Sequence, residues 1–357
     1  MERTKNPVER FLGLFAEVRS GESATVLLLA VNVFLLLVSY YIMKPVREAL
    51  ILEGNGAEVK AYMSAGQTFL LLFTVPLYAR LVSRFRRRTL LNGVTVFFAV
   101  CLAVFFALGR LGVPLGIAFF LWVGIFNVAI IAQFWSFAND IYTEEQGKRL
   151  FAIVGFGASL GAVLGPQIVA DRIEATGPYP LLLLAGLVLL ASLVFTNLVD
   201  HREGTSAGGT AERAGEPEPI AEGGAYKLVF GNRYLLSIAL LILFLNWVNT
   251  TGEYILSRVV SERAAEAVAK TPGLDETAYI GKFYADFFSV VNVAGLLIQL
   301  FLVSRILKYL GVRVALLVLP VIALAGYACV VFFPVLSLIR WTKTAENATD
   351  YSLMNTM

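Results

Sequence analysis

The stretch ATVLLLAVNVFLLLVSYYIMKPVREALIL, Ala24 to Leu52, decides how the rest of the chain is read. Ala24 to Met43 carries no charge and is long enough, as a helix, to cross the hydrocarbon core of a bilayer. Its apolar core is too long for a signal peptide, and no cleavage site of small residues follows, so the segment is retained. The whole chain has the same character: 58% of its 357 residues are hydrophobic and 15% charged, with a mean hydropathy of +0.73. Soluble domains carry roughly 25% charged residues, so this composition defines an integral membrane protein. Short alternating segments are missing, which argues against a β-barrel. Cys101 and Cys329 lie in apolar runs, and His201, the only histidine, lies in a polar stretch. That leaves no metal-ligand spacing and no disulfide framework.

Apolar runs predict nine complete crossings and the start of a tenth, near residues 24–52, 61–82, 89–109, 113–138, 149–170, 179–199, 232–257, 279–304, 312–333 and 335 onward. Before the first, Val8, Phe11, Leu12, Phe15 and Val18 share one face, as in an interfacial amphipathic helix; a plain basic tail is the competing reading. Arg3, Lys5, Arg10 and Arg19 precede helix 1, Arg84 and Arg86 to Arg88 follow helix 2, and Arg305, Lys308 and Arg313 follow helix 8. An even number of crossings separates these groups, so they share one side, and the positive-inside rule makes that side cytoplasmic. The segment DHREGTSAGGTAERAGEPEPIAEGG is too polar to bury a core and reads as a cytoplasmic linker. The expected organisation is a six-helix half (1–199), a linker (200–231) and a partial second half (232–357). LVSR recurs after helices 2 and 8, and VCLAVFF in helix 3 is echoed by ACVVFF in helix 9. Two parallel six-helix halves resemble the plan of the major facilitator transporters. The expected fold is therefore an all-α integral membrane protein, a major-facilitator-like two-half bundle ending at about helix 10 of 12.

Lys44, Arg47 and Glu48 are followed by ALIL before the stop signal EGNG, so they lie inside helix 1. Spacings of three and four put them on one face with Tyr40. Two readings stay open: snorkelling to the headgroups, or lining a central cavity. A charge at the bilayer centre costs roughly 2.5–3.5 kcal/mol, a burden that calls for water, a partner or a ligand. In helix 7, Asn246, Asn249 and Glu253 share a face, at a depth matching Lys44. In helix 10, Lys343, Glu346, Asn347 and Asp350 do the same, unless that segment is a loop. Asn139 and Asp140 read best as a cytoplasmic helix end, and Asp286 as the partner of Lys282. Gly157, Gly161 and Gly165 bare one face of helix 5 for close packing. EEQGKR lacks the rest of a phosphate-binding loop, so nothing points to hydrolysis, and no nucleophile–base pair emerges.

YYIMKPVREAL in helix 1, FWSFANDIYTEEQGKRLF at helices 4–5 and KTAENATDYSLMNTM in helix 10 resemble the ATP/ADP translocase-type nucleotide transporters, in particular their free-living bacterial branch. The resemblance covers the chain apart from the linker. It implies exchange of ATP and ADP by alternating access, with Lys44 and Glu253 matching residues implicated in that family. A family acid of helix 4 is missing, and Asn127 is the polar residue in that region. The substrate-binding set expected is Tyr40, Lys44, Arg47, Glu48, Asn249, Glu253, Lys343, Glu346, Asn347 and Asp350. Cations would hold the phosphates, and Tyr40 or Tyr41 would stack on the base. The expected partners are membrane lipid and a nucleotide, with no cofactor, no nucleic acid and no obligate protein partner. The expected place is the inner membrane, multi-pass, with the N-terminus in the cytoplasm. Two other readings are carried: a facilitator-like carrier of another small solute, with proton coupling through Glu253 or Asp286 as one form of it, and a non-transporting membrane scaffold.

Overall fold

The structure, a computed structural model, describes residues 12–13, 16–19, 21–85, 87–206 and 229–354. Among these, ten long helices follow one another: α1 Ser23–Leu52, α2 Gly56–Arg84, α3 Arg87–Arg110, α4 Gly116–Ile141, α5 Glu144–Thr176 and α6 Pro178–Ser206 make the first half. α7 Arg233–Lys270, α8 Glu276–Tyr309, α9 Gly311–Phe332 and α10 Leu336–Ser352 make the second. A π-helical turn, Gln299–Val303, interrupts α8. Most of the proposed N-terminal amphipathic segment, and residues 207–228 of the expected linker, lie outside the described residues.

Eight of the described helices are long and apolar enough to cross a bilayer, where nine complete crossings were expected. The difference is α2, which has the length and carries Lys60, Ser64, Gln67 and Thr68 in its first half. Several helices outrun their apolar segments. α7 continues through SERAAEAVAK to Lys270, and α6 runs to Ser206, into the expected linker. Hydropathy stops at the first charges, whereas Ala, Glu, Arg and Lys go on favouring helix in water.

The ends have local causes. Gly54 and Gly56, at φ +70° and +78°, make the turn after α1. Thr143 and Gln146 form a reciprocal capping box that starts α5. EEQGKR is therefore the first turn of a helix. Asp275 accepts from the Thr277 N–H at 2.9 Å and starts α8.

α1 is the axis of the first half. α5 lies so close to it that a Cβ at Gly157 or Gly161 would sit 2.5 or 2.4 Å from the carbonyl oxygens of Ala30 and Phe34, which gives the glycine stripe its packing role. On the other side, Ser39 donates to the Ala185 carbonyl at 2.9 Å and Asn32 to the Ser192 carbonyl at 3.1 Å, both on α6. Rings of Phe98, Phe119, Trp122 and Phe126 fill the space between α3 and α4. At the basic end, Arg87 pairs with Asp140 and Asp200 at 3.4 and 3.1 Å, and Arg19 with Glu145 at 2.6 Å. This gathers the N-terminal segment and the ends of α4 and α6 on one side, as the loop charges require.

The halves meet where α1 and α5 pack on α8, and α2 on α7. Asn292 donates to the Ala162 carbonyl at 2.6 Å. Lys282 pairs with Glu174 on α5 at 2.8 Å, rather than with Asp286 as expected. An intrahelical pair is replaced by one that ties the two halves.

Candidate functional site

The polar faces read from α1, α7 and α10 converge near the C-terminal end of α1. Pro45 sits inside α1, and the helix continues past it to Leu52. Lys44 and Glu48 are therefore buried rather than lifted to a headgroup layer. Arg47 is ion-paired with its neighbour Glu48, and its guanidinium lies 4.8 Å from the Phe120 ring centre.

Glu48 also stands 2.6 Å from Lys60 of α2. Lys60 donates to the Ser257 hydroxyl of α7 at 2.7 Å and lies 3.7 Å from Glu253. The Tyr284 hydroxyl, from α8, is 3.0 Å from that of Ser257. Glu253 is 3.6 Å from Lys343 and accepts from the Asn347 amide at 3.3 Å. Lys343, fully buried, donates to Asn249 Oδ1 at 2.8 Å and pairs with Glu346 at 3.2 Å. Tyr327 of α9 donates to Glu346 at 2.6 Å. One chain of charges thus runs from Arg47 through Glu48, Lys60, Glu253 and Lys343 to Glu346. It joins α1 and α2 of one half to α7 and α10 of the other. Removing one member of a buried pair costs about 3–5 kcal/mol, because the other charge is left in a poor solvent.

The segment carrying Lys343 is helix, not loop, and its polar face turns inward. Asp350 lies within electrostatic reach of Lys343 and Glu346 without an ion pair to either among the described residues. With Asn246, Asn249 and Glu346 it lines a separate cavity of about 460 Å³ between α7, α9 and α10. Glu253, expected opposite Lys44, is engaged instead by Lys60 and Lys343.

Lys44 has different surroundings. Its ammonium meets the Tyr351 hydroxyl at 3.0 Å and lies 4.1, 5.2 and 5.3 Å from the ring centres of Phe288, Tyr351 and Tyr41. Among the described residues no carboxylate lies within ion-pair distance of it. Beside it is a cavity of about 380 Å³, lined by Tyr40, Tyr41, Lys44, Asn127, Ser159, Asn292, Gln299 and Tyr351. It lies on the N-terminal side of the ion-pair chain along α1. Tyr40, whose ring stacks on Phe126 at 6.5 Å, forms part of its wall.

Lys60, Ser257, Tyr284, Phe288, Tyr327 and Tyr351 belong to the site and were not singled out from the sequence. Of these only Lys60 carries a charge. It falls one residue before the apolar run read as helix 2, where a lysine passes for an ordinary helix end.

A polar cavity holding one buried cation between two helical halves is an arrangement suited to a membrane carrier. The chain belongs to the Major Facilitator Superfamily, whose pattern it matches over residues 25–345. It is accordingly a multi-pass secondary transporter working by alternating access, and not an enzyme. Its fold is similar to that of a bacterial homologue of the human lysosomal transporter Spinster, solved inward-facing and unoccupied. The TM-score is 0.51 at 13% identity, covering 94% of this chain and 74% of that one. No curated protein sequence matches the chain.

Proposed function

We propose that this transporter carries a small organic anion, anchored by Lys44 in the central cavity. The observation behind this is a buried ammonium with no carboxylate partner among the described residues, facing a cavity large enough for a small solute. Burial of such a charge is tolerated where a ligand or water completes it. Tyr40, Asn127, Ser159 and Gln299 offer hydrogen bonds to the body of the solute. The chain Arg47–Glu48–Lys60–Glu253–Lys343–Glu346 acts as a closed gate at the C-terminal end of α1, with Asn249 and Asn347 holding its members in register. Asp350 borders the adjoining cavity and adds negative charge behind Glu346. With the N-terminus in the cytoplasm and the chain in the inner membrane, the gate closes the outer side and the cavity communicates with the cytoplasm.

Nucleotide exchange is the more specific reading that the helix 1 and helix 10 motifs favour. Its supporting observation is the set of rings from Tyr40, Tyr41 and Tyr351 on the same cavity as Lys44, where a base would stack. A polyphosphate needs several cations, and Arg47, three residues on from Lys44 in α1, is held by Glu48. Proteoliposomes preloaded with ADP and offered labelled ATP test this form: uptake that needs internal ADP and fails in Lys44→Gln supports it. The broader reading is tested by transport currents on rapid addition of organic acids. Lys44-dependent currents support an anion carrier, and currents that ignore Lys44 contradict it. Currents that also require a proton gradient assign the coupling to a titrating carboxylate, with Glu253 the first to substitute.

A further inference from the structure

We infer that Asn292 of α8 latches the two halves together by capping the backbone carbonyl that Pro166 frees in α5, whichever solute is carried. Proline has no backbone N–H, so the carbonyl four residues before it loses its partner within the helix. Pro45, Pro76, Pro166 and Pro320 lie inside described helices and free the carbonyls of Tyr41, Leu72, Ala162 and Leu316. Among the described residues, only that of Ala162 receives a side-chain donor from another helix, the Asn292 carboxamide at 2.6 Å. In a membrane, a carbonyl freed in this way is satisfied by a neighbouring helix or by water. Left bare among apolar groups, it is costly.

The bond joins the two halves, since α5 belongs to the first and α8 to the second. Asn292 is buried, and it lines the cavity beside Lys44 together with Ala162. Along the same seam, toward the gate, Gly281 leaves room for Ile173 and Lys282 pairs with Glu174 at 2.8 Å. That ion pair is exposed on both sides, so water screens it and it holds the seam weakly. The inner tie, Asn292, is sheltered from water. Alternating access moves one half against the other, and a hydrogen bond is lost beyond about 3.5 Å. Opening the gate end parts the seam and strips the Asn292 amide from the Ala162 carbonyl. The bond therefore favours the gate-closed state. Pro166 sets its strength: an N–H at position 166 would keep the carbonyl bonded inside α5 in either state.

The test reads the gate-open population through the alkylation rate of a cysteine placed at Ala57. That residue is buried in the apolar cluster shared by both halves at the gate end. The full chain is used in lipid nanodiscs, with Cys101 and Cys329 replaced by serine and N-ethylmaleimide as the reagent. The parent, Asn292→Leu, Pro166→Ala and the double variant are compared. Asn292→Leu is expected to raise the rate about fivefold, the population ratio that one net hydrogen bond commands. Pro166→Ala alone should also raise it, because the carbonyl is then satisfied in both states. Adding Asn292→Leu to Pro166→Ala should change the rate by less than about twofold, since both act through one bond. An equal fold-change for Asn292→Leu in both backgrounds overturns the latch, because Asn292 then acts without the freed carbonyl. A rate that neither replacement moves overturns it as well. Pro166→Ala retains Asn292 and gives its own answer if Asn292→Leu does not fold: an unchanged rate there removes the freed carbonyl from the account.

Discussion

The ammonium of Lys60 on α2 lies 2.6 Å from the carboxylate of Glu48 on α1. The same ammonium reaches across the interface to Ser257 at 2.7 Å and to Glu253 at 3.7 Å on α7. Lys60 therefore closes a circuit between the halves that neither α1 nor α7 closes alone. Near it, Tyr254 donates to Glu58 at 2.9 Å. Inter-half polar contacts are thus concentrated at this end of the bundle.

Lys60→Met is expected to loosen that end. It leaves Glu48 with Arg47 alone and Glu253 with Lys343, a loss near the lower end of the ~3–5 kcal/mol typical of breaking a buried pair. Spin labels at Leu111 and Asp275, exposed on the two halves at this end, should report a longer and broader distance distribution than in the wild type. An unchanged distribution denies Lys60 a latching role. Adding Glu48→Gln to Lys60→Met should cost further stability, since it takes the paired carboxylate away from the buried Arg47.

Within α5, Gly161 and Gly155 should respond oppositely to alanine. A Cβ at Gly161 lands 2.4 Å from the Phe34 carbonyl oxygen, whereas at Gly155 it meets nothing within 4 Å. Gly161→Ala must push α5 off α1 and is expected to cost about 1–3 kcal/mol, the usual range for overpacking. Gly155→Ala should be neutral or slightly stabilising, because alanine favours helix. Thermal unfolding of the two variants in one detergent checks both.

Gly252 makes room for the Tyr327–Glu346 bond. A Cβ there falls 1.7 Å from the Tyr327 hydroxyl and 2.9 Å from Lys343 Cδ. Gly252→Ala is expected to destabilise the protein, again by about 1–3 kcal/mol. Tyr327→Phe in the same chain should restore part of that loss by removing the clashing atom. Additive losses in the double variant contradict the close approach.

At the basic end, Glu22 gives a pH dependence with a definite sign. Burial pushes its carboxyl up, but the Arg149 guanidinium at 3.1 Å, the Arg19 backbone N–H at 3.0 Å and the Gln146 amide outweigh this and hold it below the usual carboxylate range. Unfolded, it returns to the ordinary value. Its contribution is therefore complete above the ordinary carboxylate pKa and is lost as pH falls through the lowered folded value. Melting curves taken from neutral pH down through the carboxylate range should fall more steeply for the wild type than for Glu22→Gln. Parallel curves remove Glu22 from the account.

The sequence was legible where one helix carries its own pattern. The long apolar runs placed the helices, and the spacing of Lys343, Glu346 and Asn347 put them on one buried face. Lys44, Arg47 and Glu48 announced themselves by being charged inside an apolar run. What could not be read were pairings between helices distant in sequence. Lys60 looked like a helix end, and Phe288, Tyr284 and Tyr351 looked like ordinary membrane aromatics. Their roles come from meeting Lys44 or Ser257 across the interface. For the same reason, depth along the helix brought Glu253 to the right level without revealing that Lys60 and Lys343, not Lys44, would hold it.

The most direct test of the central claim, that Lys44 anchors an anionic solute, is an exchange assay that presumes no identity for that solute. Proteoliposomes carrying the wild type or Lys44→Gln are loaded with an isotope-labelled extract of small metabolites, and the solutes released by exchange are read by mass spectrometry. The account predicts that wild-type vesicles release one or more organic anions that Lys44→Gln vesicles retain. Equal release of anions from both, or Lys44-independent release of neutral or cationic solutes alone, contradicts it.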